Sequence, residues 1–111
     1  MQLLTTSYMS GCVALPSTAN GSTNYVFGLM AMGAGVTCIV GVEFTDSACA
    51  TQLDANSEEM NVAASSSWTA ASEVVTPMAG ANSVGVDCTS PSGNANIDNL
   101  YFDVYQAGNG F

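Results

Sequence analysis

Val36-Thr37-Cys38-Ile39-Val40-Gly41-Val42-Glu43-Phe44 places Val36, Cys38, Val40, Val42 and Phe44 on one parity and Thr37, Ile39, Gly41 and Glu43 on the other. A repeat of two is the signature of a β-strand with one buried face, because successive side chains leave a pleated strand on opposite sides. The same reading extends upstream. Tyr25, Phe27, Leu29 and Ala31 alternate with Val26, Gly28, Met30 and Met32, and Met32-Gly33-Ala34-Gly35 reads as the connecting turn. Downstream, Trp68 to Pro77 is a further extended run with Val74 and Val75 near its end. Val84 and Val86 alternate with Gly85 and Asp87, and Leu100, Phe102 and Val104 alternate with Tyr101, Asp103 and Tyr105. Asn20-Gly21-Ser22 and Ser90-Pro91-Ser92-Gly93-Asn94 are turn sequences. Short alternating strands with this punctuation predict an all-β sandwich. The stretch from Asp54 to Ala64 is the one candidate for a short helical turn, with Asn56-Ser57-Glu58-Glu59 as cap and acidic first turn; a long loop is the other reading. No repeat, heptad or linker divides the chain, so residues 1–111 read as a single domain.

Not one Lys, Arg or His occurs, whereas nine Asp and Glu give a net charge of −9. Nucleic acid would be repelled, since binding it needs cations that displace counterions from phosphate. Histidine triads, Schiff-base lysines, arginine clamps and the P-loop lysine are all ruled out. Apolar residues make up 48% of the chain, too many for a disordered acidic tail. The polar surface is therefore built largely of Ser, Thr, Asn, Gln and Gly, which suits an extracellular protein. No run approaches the length of a transmembrane span. Met9-Ser10-Gly11-Cys12 faintly resembles a lipoprotein cleavage box, but Thr5-Thr6-Ser7 and the lack of basic residues argue against lipidation at Cys12.

Cys12, Cys38, Cys49 and Cys88 are widely spaced, with no C-x-x-C pair and no histidine for a mixed zinc site. An even number in a small domain predicts two disulfides. Laying Val36–Phe44 antiparallel to Asn82–Thr89, with Val42 opposite Val84 and Val40 opposite Val86, brings Cys38 opposite Cys88. Facing residues of a non-hydrogen-bonded pair lie within disulfide reach. Cys12 is then left for Cys49. Four buried free thiols are the alternative.

Further motifs follow in a fixed order. Cys12-Val13 and Tyr25-x-Phe27 precede Val42-Glu43-Phe44-Thr45-Asp46-x-x-Cys49, and Trp68 follows in a Ser/Thr context. Pro77-Met78-Ala79-Gly80-Ala81-x-Ser83-Val84 and Ile97-Asp98-Asn99-Leu100-Tyr101-Phe102 complete the series. From about Cys12 to Tyr105 the chain resembles the jelly-roll β-sandwich modules of the carbohydrate-binding type found in secreted bacterial proteins. That resemblance implies a jelly-roll with two antiparallel sheets, attached to or excised from a larger parent protein. Members of that group begin with a further strand or two before the position of Cys12, so the domain is expected to lack its first strand or to leave a groove for a strand from another chain.

Candidate site residues follow. With Leu100, Phe102 and Val104 inward, Tyr101, Asp103 and Tyr105 face outward, the two rings roughly 13 Å apart along one strand. That spacing suits stacking on sugar rings, with Asp103 accepting hydroxyl protons; ordinary β-propensity of tyrosine is the plainer explanation. Trp68 is either a sugar platform or, as the resemblance implies, packed within the sandwich. Asp98 shares the inward parity of Leu100, and the resemblance implies that an acid there holds a structural calcium, with Asn96 and Asn99 as further oxygen ligands. Glu58-Glu59 reads as a solvated loop pair, and no spacing marks the paired carboxyls of a glycosidase. Asn20-Gly21-Ser22 fits the N-glycosylation acceptor pattern as well as a plain turn.

Two functions are compatible with these features. One is a non-catalytic, extracellular carbohydrate-binding module that recognises a glycan or polysaccharide. The other is a structural subunit of an extracellular fibre or surface assembly, self-associating by strand exchange or edge pairing; a chain without Lys or Arg offers trypsin no cleavage site.

Overall fold

A computed structural model describes residues 2–4, 8–54 and 57–104. Nine strands and no helix occur among them: β1 (Gln2–Leu3), β2 (Tyr8–Ala14), β3 (Tyr25–Gly33), β4 (Val36–Phe44), β5 (Gln52–Asp54), β6 (Glu58–Val62), β7 (Ser65–Val75), β8 (Ser83–Thr89) and β9 (Ala95–Val104). One sheet has the order β1-β9-β3-β7, the other β2-β8-β4-β5, with β6 also paired to β4. The described strand pairs are antiparallel. With β5 and β6 taken as pieces of one interrupted edge strand, this is the jelly-roll order.

Hydrophobic burial between the sheets holds the sandwich. Tyr25, Phe27, Leu29 and Ala31 of β3 and Ala95 and Ile97 of β9 meet Val36, Cys38 and Val40 of β4 and Val86 and Cys88 of β8, all buried in one cluster. Each large side chain so buried contributes about 2 kcal/mol. Tyr25 also stacks on Phe102, with ring centroids 5.3 Å apart.

Both expected disulfides form. Cys38 faces Cys88 across β4 and β8 with Cα atoms 4.0 Å apart, and Cys12 on β2 joins Cys49 in the β4–β5 loop. The register expected beyond Val40 does not hold, however. Gly41, at φ 96°, creates a bulge, after which Val42 pairs with Gly85 and Glu43 with Val84. An extra residue reverses every later side chain. Glu43 therefore turns into the sandwich, 2% exposed, while Val42 and Phe44 are only half-buried.

Among the described residues between Asp54 and Ala64 neither the candidate helical turn nor a long loop is found. Glu58–Val62 is instead β6, paired with Val36–Val40, and its Met60 and Val62 are buried. Glu58 and Glu59 are exposed, as expected, but on a strand and not in a loop. The alternation Met60-x-Val62 was the signal that outweighed the cap-like Asn56-Ser57.

The loop after β4 is organised by Asp46, whose carboxylate accepts the backbone N–H groups of Ala48, Ala50 and Thr51 at 2.8, 3.1 and 2.7 Å. Ser83 closes it, donating to the Asp46 carbonyl at 2.6 Å and accepting the Cys49 N–H at 3.1 Å.

Two outcomes are expected. Replacing Cys38 and Cys88 together by Ala, which frees a 50-residue separation, lowers the unfolding free energy in urea by about 4 kcal/mol. The backbone donors, Thr51 first, hold the Asp46 carboxyl below the usual carboxylate range. Its stabilising effect is complete above the ordinary aspartate value of about 3.9 and is lost as pH falls through the depressed folded value. Denaturation followed against pH gives a shallower acid decline for Asp46→Asn than for the parent chain.

Candidate functional site

The outer face of the β9-β3-β7 sheet follows from the register. Since Tyr25, Phe27, Leu29 and Ala31 point to the core, Val26, Gly28, Met30 and Met32 belong to the opposite side. Their cross-strand partners share it: Asp103 beside Val26, Tyr101 beside Gly28, Asp98 beside Met30 and Asn96 beside Met32 on β9, with Val74, Ser72 and Ala70 on β7. Alternation along β7 adds Trp68 to the same side, 44% exposed.

Tyr101 lies across this face because Gly28 has no side chain. A Cβ at Gly28 would fall within the Tyr101 ring. The partial burial that results pushes the Tyr101 phenol above its ordinary value. Trp68 stands two strands away and four residues further along than Ser72, the residue level with Tyr101, hence about 10 Å across and about 13 Å along the sheet. Between and beside the rings are carboxylates. Asp98 accepts the Asn99 N–H and Asp103 the Val104 N–H, each through Oδ1 at 2.8 Å. In both, the second oxygen has no protein donor among the described residues and is open to a ligand hydroxyl.

Two sequence expectations change. Asp98 does not share the inward parity of Leu100. Asn99 adopts φ 53°, and between the Gly28–Tyr101 and Met30–Asp98 pairs β9 carries one extra residue. This bulge moves Asp98 to the outer face beside Tyr101, exposed and without the cost of burial. Trp68 is not packed within the sandwich. Counting back by twos from buried Val75 makes Thr69 inward and Trp68 outward, a parity already present in the sequence.

Tyr101, Asp103, Trp68, Asp98 and Asn96 are thus brought to one face. Asn99, at the bulge, donates from Nδ2 to the Met30 sulfur at 3.4 Å. Tyr105 lies outside the described residues. No group of three or more His, Cys, Asp or Glu able to hold a metal occurs among the described residues. The pairing of Asp98 with Asn96, two residues apart on one face, is what remains of the calcium expectation.

Sequence reasoning missed Glu43 and, although it allowed for a groove, did not identify the residues that line one. Glu43 accepts the Met78 N–H through Oε2 and, with Glu58, Ser57 and Thr76, lines a cavity of about 40 Å³. Only the bulge at Gly41 brings it there. The groove, about 290 Å³, opens between the sheets along β2 and β9 and is lined by Met9, Val13, Val86, Leu100, Phe102 and, at its rim with the outer face, Tyr101, among others. Leu100 does point toward this space, yet remains 43% exposed because nothing described closes it.

No family model matches the chain, and no curated protein does either. Solved structures share its fold. The enzymatically active domain of a tailspike protein from bacteriophage CBA120 superposes with a TM-score of 0.63 and 13% identity over 94% of this chain. A CBM4 carbohydrate-binding module gives 0.59 and 10% over 88%. The CBM22-1–GH10 modules of a Clostridium thermocellum endo-1,4-beta-D-xylanase, in complex with xylohexaose, give 0.55 and 11% over 94%. The chain spans 19%, 61% and 27% of these structures, less than two thirds of each. At such identities the likeness establishes the fold, a jelly-roll of the kind used by carbohydrate-binding modules.

The outward placement of Trp68 is directly measurable. Folded protein is expected to show red-shifted indole emission, readily quenched by acrylamide and little changed by unfolding. Blue-shifted, protected emission would return Trp68 to the core.

Proposed function

We propose that this chain is a non-catalytic, extracellular glycan-binding module, and that the outer face of the β9-β3-β7 sheet is its binding surface. The observation that carries this reading is the seating of Tyr101 over Gly28, on the same face as exposed Trp68 and the open carboxylate oxygens of Asp98 and Asp103. Rings offer their faces to the C–H side of a sugar, and carboxylates accept hydroxyl protons. The fold shared with carbohydrate-binding modules supports it by analogy, since one fold serves many functions. The two disulfides support an oxidising, extracellular setting.

Charge narrows the ligand. The face carries carboxylates, and the chain has no cationic side chain to offset them, so uronates and sulfated glycans are disfavoured and neutral polysaccharides preferred. Calcium belongs to the reading as an ion held by Asp98 and Asn96 beside the bulge.

A second reading has its own observation. Along the β2–β9 side, the described residues of β1 pair with β9 at Asn96 and Ala95, and the adjoining groove is almost wholly apolar. An apolar groove between strand edges suits an added strand, as in an extracellular assembly, better than a hydroxyl-rich sugar.

Titration calorimetry against neutral xylo- and gluco-oligosaccharides, with calcium and with chelator, tests the first reading. Tyr101→Ala and Trp68→Ala are each expected to weaken binding about fivefold, the equivalent of about 1 kcal/mol of ring contact. Dependence on calcium together with loss in Asp98→Asn assigns that carboxylate to the ion. Affinity unchanged in both ring variants removes the site. For the second reading, light scattering on the oxidised protein at high concentration is decisive: a persistent monomer rejects it.

A further inference from the structure

The loop between β2 and β3 holds a side chain whose chemistry neither surface uses. Asn20 is exposed, and its Oδ1 accepts four donors: the Ser22 and Thr23 N–H groups at 2.9 and 3.0 Å and their hydroxyls at 3.1 and 3.2 Å. Its Nδ2 donates to no described residue, and neither does the N–H of the next residue, Gly21. Gly21 is exposed and sits at φ 86°, with no side chain to shield its nitrogen. The loop is anchored on both flanks. Ala19 donates to the Ala81 carbonyl at 2.8 Å and accepts the Gly80 N–H at 3.0 Å, and Thr76 donates to Asn24 at 2.6 Å.

We propose that Asn20 is a site of spontaneous covalent modification, in which the folded loop promotes loss of its side-chain amide. The Gly21 nitrogen, its proton given up to hydroxide, attacks Cγ of Asn20 and forms the new C–N bond. Oδ1 takes up the negative charge. As the carbonyl re-forms, the Cγ–Nδ2 bond breaks, and the nitrogen leaves as ammonia with a proton from water. Water then opens the five-membered succinimide at one carbonyl or the other, giving isoaspartate or aspartate. Nothing is oxidised or reduced, and water is the only co-reactant.

Each of the three atoms is prepared for its part. The attacking nitrogen is free of a competing acceptor, the leaving amide is not held, and the oxygen that gains charge already has two N–H and two O–H donors aimed at it. Donors fixed before the reaction stabilise a developing oxyanion without reorganising during it. The molecule itself displays the effect at Asp46, where backbone N–H groups hold a carboxyl below its ordinary range. At Asn20 a comparable set of donors surrounds a neutral amide. Both the charged intermediate and, where the ring opens to aspartate, the carboxylate left at Cγ are therefore favoured over the starting state.

The oxidised, folded protein is incubated at mildly alkaline pH beside the same chain reduced and denatured. Chymotryptic peptides are then followed by mass spectrometry for exchange of amide for acid at Asn20, since trypsin has no site. Conversion is expected to be faster in the folded chain. Ser22→Ala, which removes one hydroxyl donor, is expected to slow it about fivefold in the folded chain and to leave the denatured rate nearly unchanged. Thermal unfolding of Ser22→Ala confirms that the comparison is between folded proteins. Conversion no faster in the folded than in the denatured chain, or a folded rate indifferent to Ser22→Ala, overturns the proposal.

Discussion

Having no cationic side chain is the constraint to which the rest of this structure answers. A protein with nine acids ordinarily offsets some of them with lysine or arginine. Here the peptide backbone takes that part. Asp46 gathers three N–H groups into a loop, Glu43 takes the Met78 N–H within the sandwich, and Asp98 and Asp103 each take the N–H of the residue that follows. Charge-assisted bonds of this kind are stronger than neutral ones and need no partner side chain. They also bind these acids to local backbone geometry: Asp46 sits in a turn, and Glu43 and Asp98 beside bulges. Mutual repulsion among the acids works against the compact state. The inter-sheet core and two cross-links oppose it.

Where backbone geometry is regular, the sequence was a sufficient guide. Alternation located β3, β4, β8 and β9, and register alone brought Cys38 opposite Cys88. Two of its failures share one cause. In β4 and in β9, one residue with left-handed φ, Gly41 and Asn99, interrupts a run whose hydrophobic pattern looks continuous. Val42 and Phe44 suggest an inward parity that Glu43 in fact holds. Leu100 suggests an inward Asp98 that the bulge turns outward. A bulge leaves almost no mark in composition, since Gly and Asn occur in strands for other reasons, yet it reverses the face of every residue beyond it. β6 was lost differently: five residues are too few to outweigh a helix-cap sequence beside them unless the pairing with Val36–Val40 is known. Trp68 was legible, and only the resemblance obscured it, because parity from Val75 already pointed the indole outward.

Both bulges have consequences for chemistry. Without the one in β9, Asp98 and Tyr101 would lie on opposite sides of the sheet. With it, phenol and carboxylate share a face with Asp103, and the ring is seated by Gly28 on the neighbouring strand. Phe44 repeats the device on the other sheet, where it packs against Gly85 so that a Cβ there would meet the ring at 3.3 Å. A ring over a glycine is therefore a structural habit of this chain, and it alone does not mark a binding site. What distinguishes Tyr101 is its company of open carboxylate oxygens and a second exposed ring.

The two surfaces available to a partner differ in what they can recognise. The outer face offers carboxylate acceptors and ring faces within a few strand widths, and no cation. A ligand rich in hydroxyls and free of charge matches each of these groups. The β2–β9 groove is lined mostly by hydrocarbon and aromatic carbon, so a hydroxyl placed there would lose its water without gaining a partner, at a cost of about 1–3 kcal/mol per group. Under the proposed reading, sugar therefore belongs to the face and an apolar strand to the groove. The two surfaces meet at Tyr101, which is seated over Gly28 on the face and also lines the groove, so an occupant of one bears on the other.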